Sequence, residues 1–279
     1  MSRDDEEMPL AGGRVTEGVV RVGDTVRRPS TASSTFVGAL LTHLERYGFE
    51  GAPRYLGTDE KGRDILTYIS GWVPPTFRRW SDGQVGAAGA LLRGLHEATR
   101  TSDLTCTSNN LTRTSNNLTR TSDNLTRTSD LTDTSDLTGT DLVVCHHDPG
   151  PNNVVFRDDL PVAFIDFDTA APGDPLEDLG YMAWTWCVSS RPDRGPVTAQ
   201  AAQVRLLADA YGLAPHRHPD LIDAMMDRQA CNARWWHGYL GRPGPRGTGE
   251  DEILARIAWS RREHDHTAAH RAEFAAALR

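Results

Sequence analysis

The sequence contains no apolar run near the roughly 20 residues that a helix needs to cross a bilayer. Its first ten residues are acidic, where a secretory signal would be basic and then apolar. Cysteines are few and widely spaced, with neither a Cys-x-x-Cys pair nor the density of a disulfide scaffold. They lie at Cys106, Cys145, Cys187 and Cys231. We therefore expect a cytoplasmic protein that has no contact with a membrane.

Basic residues are outnumbered: 30 Lys and Arg stand against 38 Asp and Glu in 279 residues, for a formal net charge of -8. Affinity for nucleic acid comes mainly from Lys and Arg that neutralise phosphates, so we expect no nucleic-acid partner. The excess acids are concentrated in residues 1–10 and 101–141. The rest of the chain is nearly neutral, so the net charge does not describe its binding sites.

A repeat fills residues 101–139, in six imperfect copies of a short unit such as TSNNLTR. One Leu per copy cannot form a helical stripe or a strand face, and Thr, Ser and Asn compete for backbone hydrogen bonds. The repeat therefore predicts a disordered surface loop. Lengthening a loop from about ten to about forty residues costs on the order of 1.2 kcal/mol, which a stable host can carry.

The chain before the repeat predicts a small sheet that carries one helix. Residues 10–28 alternate short β-rich runs with glycine turns, and Pro29 ends this hairpin pattern. Apolar residues then recur at helical spacing over 36–44, up to Gly48. A second hairpin pattern follows over 53–69.

The chain after this sheet is mostly helical in pattern, apart from an apolar strand at 142–145 and a hairpin that turns at 157–160. Asp174, Pro175 and Glu177 form the pattern of a capping box at a helix start. Further helices are predicted near residues 84–98, 198–211, 218–240 and 250–278. We expect an α+β protein with an acidic tail (1–9), a small β-rich N-lobe (10–71) and a larger helical C-lobe (72–279), which the repeat (101–139) interrupts.

Polar groups converge between residues 142 and 180. Asp148 follows a strand, Asn153 comes five residues later, and Asp166 ends the next hairpin. Elements of these lengths return Asp166 to the sheet end that carries Asp148 and Asn153. Two carboxylates and an amide oxygen suit Mg²⁺, which takes the rest of its ligands from waters and substrate phosphates. Phosphoryl transfer needs such a metal and a carboxylate that accepts a proton.

Three segments in this region carry a family resemblance: HHDPGPNN (146–153), IDFD (165–168) and GDPLEDLG (173–180). In order and spacing they resemble the catalytic loop, the metal-binding loop and the segment that follows them in the aminoglycoside phosphotransferase family, also called the phosphotransferase enzyme family. The resemblance covers about residues 10–240 without the repeat. It implies a protein-kinase-like two-lobe fold.

The resemblance also implies an activity and a set of roles. The chain would transfer the γ-phosphate of ATP or GTP to a hydroxyl of a small molecule, with Mg²⁺ as cofactor. Asp148 would be the catalytic base, and Asn153 and Asp166 would be the metal ligands. Three residues would give structural support to the site, namely His146, Asp168 and Asp178. Asp168 would either assist the metal or cap its turn. The segment from Leu66 to Gly71, with Tyr68, would be the interlobe hinge that binds the nucleotide base.

The chain departs from this pattern at the nucleotide phosphates. Kinase-like enzymes hold them with a Lys on the third strand, which pairs with a Glu on the next helix. The single lysine, Lys61, falls in a predicted turn, and Val37 lies where the Glu is expected. Arg27 and Arg28 are the cations on the strand, and Arg can grip phosphate bidentately. The alternative function is therefore a catalytically impaired pseudo-enzyme that only binds nucleotide.

The acceptor pocket is the least defined part of the prediction. Tryptophans at 184, 186, 235, 236 and 259 either fill the core or line that pocket. Four acids could meet a cationic acceptor, although helix capping explains the first two equally well. They are Asp174, Glu177, Asp223 and Asp227.

Overall fold

The N-lobe of the computed structural model is an antiparallel five-stranded sheet, in the order β1-β2-β3-β5-β4, with one helix. The structure describes residues 6–10, 18–75, 78–100, 102–106, 142–241 and 248–279. The N-lobe elements are β1 (Met8–Pro9), β2 (Val20–Val22), β3 (Thr25–Pro29), α1 (Ser34–Tyr47), β4 (Tyr55–Thr58) and β5 (Arg63–Thr67). The predicted helix and both hairpins are present.

Helix α1 forms where the apolar spacing predicts it and ends at a glycine. Leu40, Leu41 and Leu44 are fully buried on the face that meets the rest of the protein. Gly48 has a left-handed backbone, with φ of 84°, and its N–H caps the helix by bonding to Leu44 and Glu45 carbonyls. Glycine adopts this conformation without steric cost, which explains the sharp end of the helix.

The sheet begins earlier than the sequence predicts. Met8 pairs with Arg21 in the antiparallel register of β1 and β2, although residues 1–9 were expected to form an acidic tail. Glu7 next to it accepts hydrogen bonds from Lys61 and Arg63, at 3.0 and 2.8 Å. Strand pairing and these ion pairs thus hold a segment that composition alone indicated to be an acidic tail. The predicted glycine turn at residues 12 and 13 lies outside the described residues.

The C-lobe combines two small two-stranded sheets with a helical body. Strand β6 pairs with β9, and β7 pairs with β8, both antiparallel. Its strands are β6 (Val143–Cys145), β7 (Val154–Arg157), β8 (Leu160–Phe164) and β9 (Ala171–Gly173). Its helices are α2 (Asp82–Thr99), α3 (Asp103–Cys106), α4 (Pro175–Met182), α5 (Val197–Tyr211), α6 (His218–His237), α7 (Glu250–Ala269) and α8 (Arg271–Leu278). The predicted helix over 250–278 is thus two helices, which meet at His270.

The two lobes are joined by a segment that is fixed to the C-lobe hairpin. Trp72 exchanges two backbone hydrogen bonds with Phe156, at 3.0 and 2.8 Å. Gly71 precedes it, and a Cβ at this position would lie only 2.3 Å from the Phe156 carbonyl oxygen. Trp80 and Trp186 stack around the Phe156 ring, with centroids 5.1 and 5.9 Å away. The connection therefore has a defined position at the edge of the core.

The first residues of the repeat belong to the folded body. Helix α3 begins there, and Ser102 and Thr105 are buried. The Ser102 hydroxyl donates to the Thr99 carbonyl at 2.8 Å, and the Thr105 hydroxyl donates to the Ser102 carbonyl at 2.7 Å. This part of the predicted disordered loop is helical, and its hydroxyls bond to carbonyls three residues earlier, the first of which belongs to Thr99 at the end of α2. Residues 107–141 lie outside the described residues.

No helix in the described part of the chain is long and apolar enough to cross a membrane.

Candidate active site

The loop after β6 is held by one buried carboxylate. Asp178, on α4, accepts hydrogen bonds from the backbone amides of His146 and His147 at 2.6 and 2.7 Å. A third hydrogen bond comes from His96 Nε2 on α2, at 3.1 Å. Burial favours the neutral acid, but the His96 hydrogen bond and the nearby histidines outweigh it and lower the pKa of Asp178. A charged carboxylate thus fixes the start of the loop.

His146 connects this loop to the loop that follows β8. Its Nε2 donates to the Ile165 carbonyl at 3.0 Å, and its Nδ1 accepts from the Asp148 amide at 3.3 Å. This pattern requires the neutral imidazole with its proton on Nε2. The Thr169 hydroxyl donates to the His146 carbonyl at 2.8 Å, which adds a second link between the loops.

His147 has the left-handed backbone that turns the loop, with φ of 62°. Its two ring nitrogens meet the Thr169 carbonyl at 3.0 Å and the Glu177 carboxylate at 3.2 Å. Both partners are acceptors, so both nitrogens must donate and the ring is an imidazolium. Burial opposes this charge, but the Glu177 carboxylate outweighs burial and raises the pKa of His147. Arg228 on α6 donates to the His147 carbonyl at 2.9 Å.

Asp148 and Asn153 are in direct contact. The Asn153 side-chain amide donates to the Asp148 carboxylate at 2.8 Å and to its carbonyl at 3.0 Å. Tyr181, on α4, also lies near the Asp148 carboxylate. Burial is the largest effect on the pKa of Asp148 and raises it. Tyr181 and the Asn153 hydrogen bond lower the pKa, the charge of Asp166 raises it, and the net shift is upward. Asp148 is therefore a half-buried, oriented carboxylate whose basicity is increased.

Asp166 faces this pair from the end of β8. Its backbone is left-handed, with φ of 65°, and the helical turn Phe167–Thr169 follows it. The Phe167 ring packs against the His146 ring, with centroids 4.7 Å apart. Two non-glycine residues with positive φ, His147 and Asp166, thus lie in one site, and such strained backbone clusters at functional sites.

Arg28 reaches this site from the N-lobe. Its guanidinium hydrogen-bonds the Asp168 carboxylate, and its Nη1 lies 3.7 Å from Asp166 Oδ1. Arg27 points to the other face of the sheet, where its Nε lies 3.9 Å from Asp59 Oδ2. Successive strand residues face opposite sides, so only one of the two arginines can meet Asp166. The structure brings Arg28 to the predicted metal ligands and leaves Arg27 away from them.

The family model described as "Phosphotransferase enzyme family" matches residues 11–219. The chain belongs to this phosphotransferase family. Family members are small-molecule phosphotransferases. The resemblance that the three motifs indicated is therefore confirmed. At the sequence level, the trifolitoxin immunity protein of Rhizobium leguminosarum bv. trifolii is 33% identical over 236 residues, which cover 80% of each protein.

Solved structures of low sequence identity share the fold. A choline/ethanolamine kinase family protein from Mesorhizobium loti is 18% identical, with a TM-score of 0.58 over 100% of this chain and 94% of its own. A spectinomycin phosphotransferase, solved in complex with ADP and spectinomycin, is 13% identical, with a TM-score of 0.60 over 96% of this chain and 93% of its own. The predicted protein-kinase-like fold is thus confirmed.

In the segment predicted to be the interlobe hinge, some groups are already bonded within the N-lobe. The Tyr68 amide donates to the Asp24 carbonyl at 2.8 Å, and the Arg21 guanidinium lies 3.8 Å from the centre of the Tyr68 ring. Leu66 pairs with Val26 across β3 and β5 and packs against the core. Nucleotide binding by Leu66 and Tyr68 stays a prediction, and the Tyr68 amide is already used within the lobe.

Sequence reasoning missed three residues that shape the site: His96, Tyr181 and Arg228. Tyr181 lies one helical turn after Asp178, so its position on the Asp148 side could have been found from the spacing. His96 and Arg228 come from other helices, and no local pattern indicates that they approach the loop. Arg228 also places its guanidinium 5.5 Å from the centre of the Tyr181 ring.

Two of the tryptophans that were candidates for the acceptor pocket, Trp184 and Trp186, lie in the core. Trp186 is buried and donates to the Pro149 carbonyl at 3.1 Å, so it supports the loop that carries Asp148. Trp184 is buried as well; its ring stacks on that of Trp259 at 4.5 Å and meets Tyr181 edge-on at 5.7 Å. This aromatic group adjoins the residue that contacts Asp148.

The four candidate acids are mostly engaged in ion pairs. Asp174 caps α4 and accepts from Arg217 at 3.2 Å, in the predicted capping box. Glu177 binds His147, and Asp223 pairs with Arg271 at 2.7 Å. Three of the four acids therefore already have a basic partner within the chain.

Proposed function

We propose that this chain is a kinase that transfers the γ-phosphate of ATP or GTP to a hydroxyl of a small molecule. One observation carries the proposal: Asp148, Asn153 and Asp166 converge beneath a buried arginine, Arg28, from the opposite lobe. Membership of the family supports a phosphotransferase, and the geometry supplies the groups that phosphoryl transfer needs.

The donor set fits Mg²⁺. The Asp166 carboxylate and the Asn153 side-chain oxygen are hard oxygen ligands, which this ion prefers. Asn153 is oriented by its own NH₂ group, which bonds to Asp148. Its side-chain oxygen accepts one hydrogen bond from the Asn152 amide at 3.1 Å, and its second lone pair would bind the metal. A bound Mg²⁺ would neutralise charge on the phosphate oxygens of the nucleotide.

Asp148 is suited to accept the proton of the acceptor hydroxyl. Its carboxylate is oriented by Asn153 and Tyr181, and its raised pKa makes it a better base than an exposed aspartate. Asp178 and His146 fix the backbone on which this carboxylate stands. Arg28 would hold the nucleotide phosphates in place of the usual lysine.

The wall beside the base supports an acceptor that is not a polycation. Arg228 and the ring of Tyr181 lie on this side, and the buried ring of Trp184 packs behind Tyr181. A guanidinium repels cationic groups, whereas aromatic rings favour apolar and planar ones. We therefore expect neutral or anionic hydroxyl compounds to be better acceptors than aminoglycosides.

The sequence relative supports a second, compatible candidate for the biological role. It is named an immunity protein, and it is similar over most of both chains. Phosphorylation of an antimicrobial compound would give such protection, because a charged group on the compound would disrupt its binding to a target. The role is tested by expressing the chain in a sensitive host and measuring growth against a panel of antimicrobials.

The enzyme is tested with purified protein, ATP or GTP, Mg²⁺ and a panel of neutral, anionic and cationic hydroxyl compounds. We expect turnover that the Asp148→Asn variant loses at least a hundredfold, because general base catalysis contributes about 10²–10⁴-fold. Asp193→Asn, at an exposed acid, is the matched control and should keep full activity. Nucleotide binding without turnover for any acceptor would instead support the pseudo-enzyme.

A further inference from the structure

Arg28 is a buried cation that meets two carboxylates of the metal-binding loop. Its side chain is 8% exposed, and its guanidinium bonds to Asp168 and faces Asp166. The acid opposite it in the sheet is Asp64, but the Asp64 carboxylate takes hydrogen bonds from the hydroxyls of Ser30 and Ser34. Asp168 is therefore the acid that fixes the Arg28 head group.

Helix α1 supplies no acid to this arginine. Its sequence contains one acidic residue, Glu45, in the last turn. Glu45 pairs with Arg54 at 2.9 Å, and both side chains are 44% exposed. At the start of the helix, the hydroxyl of Ser33 lies 3.5 Å from Asp168, so the helix approaches the carboxylate through a neutral group.

We infer that Asp168 is the positioning residue that holds Arg28 over the nucleotide phosphates, so that an Arg–Asp pair between β3 and the metal-binding loop replaces the Lys–Glu pair between strand and helix. The inference rests on the proposed function, since it assigns Arg28 to the phosphates. It gives Asp168 a role in nucleotide binding that is separate from metal binding.

The chemistry of the guanidinium makes this replacement possible. Arginine presents five N–H donors in a planar fork, whereas lysine is a compact point charge. One edge of Arg28 bonds to Asp168, and its Nε is buried without a hydrogen-bond partner among the described residues. Donors thus remain for a phosphate oxygen while the carboxylate contact is kept.

The position of Asp168 couples the phosphate grip to the metal loop. It lies two residues after Asp166 within the same short turn, and the next residue, Thr169, bonds to the His146 carbonyl. A change at Asp168 therefore displaces Arg28 while Asn153, Asp166 and Asp148 stay in place, and the comparison with and without Mg²⁺ separates this effect from any assistance that Asp168 gives to the metal. This separation makes the role measurable.

The test is a double-mutant cycle on the full chain, with ADP binding measured by calorimetry in the presence and absence of Mg²⁺. We expect Arg28→Ala and Asp168→Asn each to weaken ADP binding at least tenfold. The double variant should be within about threefold of the weaker single variant, because both changes remove one interaction. Asp59→Asn removes the partner of Arg27 on the other face of the sheet and should bind ADP as the wild type does.

Two further variants keep the test decisive if Asp168→Asn does not fold. Asp168→Glu keeps the charge and should bind ADP more tightly than Asp168→Ala. Arg28→Lys should bind at least fivefold more weakly than the wild type, since one ammonium cannot serve both the carboxylate and the phosphate. ADP binding by Asp168→Asn within twofold of the wild type, or losses that multiply in the double variant, would overturn the inference.

Turnover measured on the same samples separates this inference from the proposed function. Coupled losses of ADP binding in a protein that phosphorylates no acceptor would support the Arg28–Asp168 pair and contradict the kinase. Turnover that depends on Asp148 but not on Arg28 or Asp168 would support the kinase and overturn the pair.

Discussion

The Asp178→Asn substitution tests how the loop that carries Asp148 is held, and the effect on stability can be estimated from the contacts of Asp178. The Asp178 side chain is fully buried and accepts hydrogen bonds from two backbone amides and from His96. Asparagine keeps one of the two acceptor oxygens and replaces the other with an NH₂ group. This NH₂ group would face an N–H donor of the loop or of His96 instead of accepting from it. A hydrogen bond to a charged group contributes about 1.5–3 kcal/mol, and an unsatisfied buried donor costs about 1–3 kcal/mol. We expect unfolding to become easier by about 3–5 kcal/mol, as when one partner of a buried charge pair is removed.

The measurement is urea unfolding at pH 7, followed by tryptophan fluorescence and extrapolated linearly to water. Asp193→Asn, in an exposed ion pair, is the control and should change the free energy by less than about 0.5 kcal/mol. Folding lowers the pKa of Asp178. The stabilisation that its carboxylate gives to the folded state is therefore present above pH 3.8, the ordinary pKa of aspartate, and is lost as the pH falls below this value. A loss under about 1 kcal/mol at pH 7 would refute this account of the loop.

Three further predictions concern pH, packing and the repeat. Folding raises the pKa of His147, so the protonated ring stabilises the folded state fully below pH 6.5, the ordinary pKa of histidine. This stabilisation is lost as the pH rises through the pKa of the folded state, and Glu177→Gln should reduce the accompanying fall in melting temperature. Gly180→Ala should lower the free energy of unfolding in urea by about 1–3 kcal/mol, since the new Cβ would lie 2.7 Å from the Ala224 carbonyl carbon. Gly86→Ala is the control and should not lower it, because a Cβ at this position meets open space. Deleting residues 107–140 should change the free energy of unfolding by only about 1 kcal/mol and leave the melting curve cooperative.

Local sequence patterns predicted much of the secondary structure and the chemistry of the site. The helical spacing before Gly48 and the capping box at Asp174 depend on residues within a turn or two, so their outcome follows from the sequence alone. The strand and hairpin around Asp148 and Asp166 have lengths that return both acids to one place. The boundary at Met8 is wrong because a distant strand pairs with an acidic segment. The boundary in the first repeat unit is wrong because the hydroxyls of Ser102 and Thr105 bond to carbonyls only three residues earlier and extend helical structure past α2.

By itself, the sequence determined the order of the motifs, the oxygen donors they carry and the family that they indicate. Only the tertiary structure decided which cation and which acids meet. The choice of Arg28 over Arg27 depends on which face of β3 is turned to the C-lobe, and sheet pairing sets that face. The contacts of Arg28 with Asp168, and of Asp178 with His96, span 140 and 82 residues. Such contacts depend on how whole elements pack, which periodicity and spacing along the chain do not specify.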